Sequence, residues 1–194
     1  MTTATASPAL RRDRVLADRL GGTLAREAVL VVAGTLVLTL MARLSVPLPF
    51  TPIPVSLGTL GALSVGALGG ARRSLLSVVL YTALGVAGAP VFAEDHVGWA
   101  FASFGYVLGY VLVAMIAGAA AERGWDRKPH TMLAASLVSL FSVYATGLAW
   151  MIPFTHMGLA DGVAKGLVPF IVGDLLKAVV AAGVFPVIRS LTRR

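Results

Sequence analysis

The chain has 194 residues, 57% of them hydrophobic and only 13% charged, with a net charge of +7. Soluble domains carry about 25% charged residues, so a water-soluble enzyme or a nucleic-acid-binding domain is excluded, and the length suits one compact membrane domain. Cysteine is absent, which removes disulfides, thiolate nucleophiles and Cys-based metal sites.

Residues 1–27 are polar and contain no apolar stretch followed by a cleavage site, so they read as a cytoplasmic segment rather than a secretory signal. Residues 28–194 form the membrane domain. Its apolar runs fall at 28–46, 55–69, 74–93, 98–121, 131–154 and 166–190. A helix needs about 20 apolar residues to cross a bilayer core. The second run is short and glycine-rich, which suits a tilted, broken or re-entrant helix. The prediction is an all-α integral membrane protein, a bundle of six transmembrane helices. An even number of spans puts both termini on one side. Apart from Arg43, Lys165 and Lys177, every Lys and Arg falls on that side. By the positive-inside rule the termini are cytoplasmic.

The connections differ in character. Segment 45–54 holds Pro47, Pro49, Pro52 and Pro54 and cannot be helical throughout. It reads as a rigid lid, with Phe50 as apolar cover and Thr51 as a hydroxyl. Glu94, Asp95 and His96 are consecutive, a poor arrangement for one metal ion, and read as a solvated loop. Thr155, His156 and Asp161 read the same way. Gly66/Gly70 and Gly105/Gly109 have the spacing that lets membrane helices approach closely. Packing within one chain is the better reading of that spacing; a homo-oligomer is the weaker one.

The most informative residues lie in the last run. Asp174 and Lys177 are the only charges between residues 167 and 188. Each costs about 2.5–3.5 kcal/mol at a helix centre on insertion scales. At i, i+3 they share one helix face and can neutralise each other while presenting an acceptor and donors to a polar ligand. A buried ion pair that only fixes packing is the alternative. Tyr106 is flanked by Gly105 and Gly109, which leave room beside a ring and a hydroxyl. Tyr81, Tyr110, Tyr144, Thr35, Thr39 and Thr59 also sit in apolar context, and each alone reads as structural. No HExxH, GxSxG or Walker A motif is present. Catalytic residues, cofactor and metal are therefore expected to be none. The rival to a binding protein is a membrane enzyme acting on a lipid-linked substrate, with Asp174 as acid or base.

Several strings occur in a recognisable order: Pro47 to Pro54, Leu68 to Arg73, Leu80-Tyr81, Gly85 to Ala93, Gly105 to Gly109 and Gly173 to Ala178. This ordered set resembles the BioY family, the biotin-binding S components of energy-coupling-factor (ECF) vitamin transporters. The resemblance implies a multi-pass protein of the prokaryotic plasma membrane that captures biotin. It further implies delivery through a transmembrane T component and two cytoplasmic ATPases, although some members act without that module. By the same resemblance Asp174, Lys177 and Tyr106 bind the vitamin, with Thr51 and Phe92 beside them. Lys177 is left with two partners to choose from, the ureido oxygen or the valerate carboxylate. Two features depart from the family: Gly58 stands where glutamine is common, and span one lacks an Ala-xxx-Ala pair, Thr35/Thr39 being the nearest small-residue spacing.

Overall fold

A computed structural model describes residues 15–19 and 22–191. Most of the polar 1–27 segment, and the topology markers Arg11, Arg12, Arg14, Arg193 and Arg194, lie outside the described residues. Helices α1 (Leu24–Arg43), α2 (Gly58–Val86), α3 (Phe104–Glu122), α4 (Pro129–Thr155), α5 (Leu159–Gly166) and α6 (Ile171–Leu191) make the bundle. Strands β1 (Ser45–Val46) and β2 (Val55–Ser56) pair antiparallel, Ser45 opposite Ser56. Five stretches are long and apolar enough to cross a membrane: α1, α2, α3, α4 and the continuous Leu159–Leu191.

The predicted runs 55–69 and 74–93 are joined in α2, which is interrupted at Gly70 (φ 80°, ψ 170°). That backbone region is essentially reserved for glycine. Both limbs touch α1, in opposite order. Just before the 58–69 limb, Leu57 N donates to Leu44 O, just past α1, at 3.1 Å; on the limb a Cβ on Gly61 would lie 3.1 Å from Met41, and Val65 meets Gly34. On the 71–86 limb, Arg73 binds Glu27 and Thr35 Oγ1 donates to Ser77 O at 3.0 Å; beyond its end, Pro90 O accepts from Arg43. The limbs therefore run antiparallel, and Gly70 is the reversal. At about 1.5 Å per residue the first limb reaches roughly 18 Å, shorter than the roughly 30 Å hydrocarbon core.

Helix α1 buries only Thr35, Leu38 and Ala42, while Leu24, Val29, Leu36 and Leu40 point outward. An outward face this apolar suits lipid, not water. Inside the bundle, backbones approach closely: a Cβ on Gly66 would stand 2.5 Å from Ala114 O, and one on Gly109 2.4 Å from Thr146 Oγ1. Gly105 meets Trp150 and Thr146 O in the same way.

Each end of the bundle is tied by ions. At one end Arg73 forks onto Glu27 (2.7 and 2.9 Å) and reaches Asp18 at 2.8 Å. At the same end Glu122 accepts from Ala71 N at 2.8 Å, and Arg189 lies 3.5 Å from Asp126. At the other end Arg43 holds Asp95 at 2.6 Å, so the 94–96 segment is latched to α1 by one of its members. Among the described residues no cluster of His, Cys, Asp or Glu could hold a metal. The last predicted connection contains a helix the sequence reading passed over: α5, with Asp161 in its first turn and Lys165 in its last.

Candidate functional site

The packed helices form a cavity near the Arg43 end of the bundle, with charged and tyrosine side chains on its wall. Its walls come from α1, α2, α3, α4 and α6, from residues 53–56, from the connector between α2 and α3, and from Phe170 just before α6. Asp174 and Lys177 reach it from the first two turns of α6, 5% and 9% exposed. They form the expected i, i+3 pair, Lys177 Nζ to Asp174 Oδ1, at 2.6 Å. Neither depends on the other alone. Tyr144 donates its hydroxyl to Asp174 Oδ2 at 2.5 Å, and Lys177 Nζ donates to Ser56 O at 2.6 Å. An ammonium has three donors and an ionised carboxylate about four acceptor sites. Each group therefore keeps capacity for a ligand after its protein bonds are made.

The tyrosines complete the site. All four in the chain, Tyr81, Tyr106, Tyr110 and Tyr144, line this cavity. Tyr106 donates to Gly166 O at 2.6 Å, and its ring fills the space that a Cβ on Gly147 would occupy. Tyr110 fills the space beside Gly58, where a Cβ would stand 2.2 Å from its hydroxyl oxygen. The Tyr110 hydroxyl thus occupies the space that a longer residue at position 58 would take. Phe92 is 1% exposed and lies against Gly85, edge-on to Tyr81 with centroids 5.2 Å apart.

Of the residues singled out by sequence, Asp174, Lys177, Tyr106 and Phe92 come together on the cavity wall. Phe50, Thr51 and Gly105 do not line it. Phe50 is 59% exposed, Thr51 Oγ1 donates to Lys165 O at 2.7 Å, and Gly105 faces Trp150. Tyr144 and Ser56 were missed as partners of the charge pair. Tyr144 lies thirty residues from Asp174, and the Ser56 contribution is a backbone carbonyl, so neither leaves a local pattern. The cavity measures about 50 Å³, far below the roughly 300–1,000 Å³ of ligand pockets. A whole ligand enters only when part of the wall moves. The non-helical wall consists of Ile53, Pro54 and Ser56 on one segment and Phe92, Phe101 and Ser103 on another.

A bundle of apolar helices around a charged and tyrosine-lined cavity defines a multi-pass membrane protein. The chain belongs to the BioY family, which it matches over residues 9–194. A biotin transporter BioY of Rhizobium etli is 31% identical over 147 residues, covering 71% of this chain and 78% of the relative. A probable biotin transporter BioY of Pyrococcus horikoshii is 31% identical over 160 residues, covering 81% and 92%. A crystal structure of the S-component for biotin from an ECF-type ABC transporter superposes with a TM-score of 0.74 at 21% identity, covering 88% of this chain and 95% of that one. The family is one of transporters, not enzymes, and the lipid-linked enzyme reading has no support among these relatives.

Proposed function

We propose that this protein is the biotin-capturing subunit of an ECF-type transporter in the prokaryotic plasma membrane. The observation that carries the reading is the buried Asp174–Lys177 pair on the wall of the cavity, in a chain of this family. Biotin's ureido ring offers two N–H donors and one strong acceptor. The free lone pairs of Asp174 receive the donors, and the remaining Lys177 proton meets the acceptor. Tyr106 and Phe92 wall the ring. Phe50 and Thr51 act through the 45–54 segment as a lid, and Gly105 acts by letting α3 and α4 close around Tyr106.

The same reading takes the two limbs of α2 as separate spans, which makes six. Their opposed contacts with α1 and the reversal at Gly70 support that count. The termini are cytoplasmic, in keeping with Arg72, Arg73, Arg123, Arg127 and Lys128 on that side. A T component and two ATPases supply the energy, with action of the subunit alone as the second mode. Equilibrium binding of labelled biotin to the purified chain in detergent tests the proposal. Saturable, stoichiometric binding is expected, and its absence in correctly folded protein refutes it.

A further inference from the structure

Arg43 is the last residue of α1, and its guanidinium grips the connector between α2 and α3 at two points. It donates to Pro90 O and lies 2.6 Å from the Asp95 carboxylate. Between those points the connector carries Phe92, which is buried, lines the cavity and packs against Tyr81 and Phe101. Gripping both flanks of so short a segment fixes the side chain in its middle. The backbone is strained where it is gripped. Glu94 and Asp95 both hold positive φ, 55° and 57°, a region that residues with a side chain occupy uncommonly. Glycine would sit there without strain but has no carboxylate to offer Arg43. The guanidinium is also well placed on its own side, since β1 starts two residues after Arg43, at the base of the 45–54 segment. The two non-helical walls of the cavity are thus tied together through Arg43.

We propose that Arg43 is a positioning residue for ligand retention: by holding Pro90 and Asp95 it keeps Phe92 on the cavity wall and joins the connector to the base of the 45–54 segment. The assignment rests on the biotin reading above, in which biotin leaves only when part of this wall moves. Arg43 does not line the cavity, so it acts through the wall and not by contact. Its ion pair stands in water, with side chains 43% and 67% exposed, where dissolved salt screens it. Retention of the ligand therefore responds to ionic strength through a pair that the ligand never touches.

Biotin dissociation and association are measured by stopped flow on the whole chain in neutral detergent, at low and high salt. Wild type is compared with Arg43→Met, Asp95→Asn and the double variant. Asparagine tolerates positive φ as aspartate does, so that variant removes the charge and keeps the backbone. Dissociation is expected to be about two- to fivefold faster in each single variant at low salt, the effect of losing an exposed ion pair, with a smaller change in association. The double variant is expected to dissociate no faster than Arg43→Met. Salt is expected to speed dissociation from wild type and to leave all three variants unaffected. Unchanged dissociation in Arg43→Met overturns the assignment, even where its ligand-free Tm falls, because the clamp then serves the fold alone. A salt response that survives in the variants overturns it too, as does a double variant whose effect is the product of the single ones. A wild-type chain that folds but binds no biotin refutes the biotin reading, and that arm separates its failure from failure at Arg43.

Discussion

At the scale of single residues, the site rests on a carboxylate held from two directions. Asp174 accepts from Lys177 and from Tyr144, and Lys177 also donates to Ser56 O. Asp174→Asn keeps the shape but removes the charge, and is expected to weaken biotin binding by at least about 1.5–3 kcal/mol, the worth of a charge-assisted hydrogen bond. Part of that loss comes from leaving Lys177 buried without its counter-ion. Lys177→Met and the double variant close a thermodynamic cycle in equilibrium binding that separates the two contributions. Unchanged binding in both folded single variants means that the pair serves packing alone. The i, i+3 spacing of the pair was legible in the sequence because it is local. The role of Tyr144 was not, because only the crossing of α4 and α6 brings that hydroxyl to Asp174.

Between residues and bundle stand the elements, and two of them carry constraints that a single substitution tests. Gly70 turns the chain between the limbs of α2 in a conformation that L side chains rarely adopt, and a Cβ there would meet Glu122 Oε1 at 2.8 Å. Gly70→Ala is expected to lose about 1–3 kcal/mol of stability from backbone strain, read as a lower Tm in detergent. Wild-type stability in that variant means the reversal lies elsewhere. The 45–54 segment is fastened by the β1–β2 pair at its base and by Thr51 Oγ1 to Lys165 O at its tip. Thr51→Val keeps the volume and breaks the second fastening. With a hydrogen bond worth about 1 kcal/mol net, stopped-flow measurement should give a biotin dissociation rate roughly fivefold faster and a smaller change in association. Equal dissociation rates make the segment a plain connector. The prolines predicted a stiff segment, and its contact with α5 lay beyond local reading because α5 itself was read as loop.

For the whole molecule, the orientation in the membrane is the decisive property. The ionic cluster of Arg73, Glu27 and Asp18 marks one end of the bundle, and the Arg43–Asp95 latch marks the other. The chain has no native cysteine, so single cysteines report topology without background. A cysteine replacing His96 is expected to react with a membrane-impermeant thiol reagent in intact cells. One replacing the exposed Lys128 is expected to react only after the membrane is opened. The reverse pattern inverts the bundle.

Properties that depend on composition and on near neighbours along the chain were determined by the sequence alone. The membrane class follows from apolar runs that only lipid can solvate. The Asp174–Lys177 pair follows from helical spacing, and the family follows from short strings in a fixed order. Other properties needed the chain brought back against itself. Gly70 became a reversal only when both limbs were seen to meet α1 in opposite order. Gly58 became the gap that Tyr110 fills only once α2 and α3 were packed together. A buried polar group is defined by its partners, and in a helical bundle those partners come from elements remote in the chain.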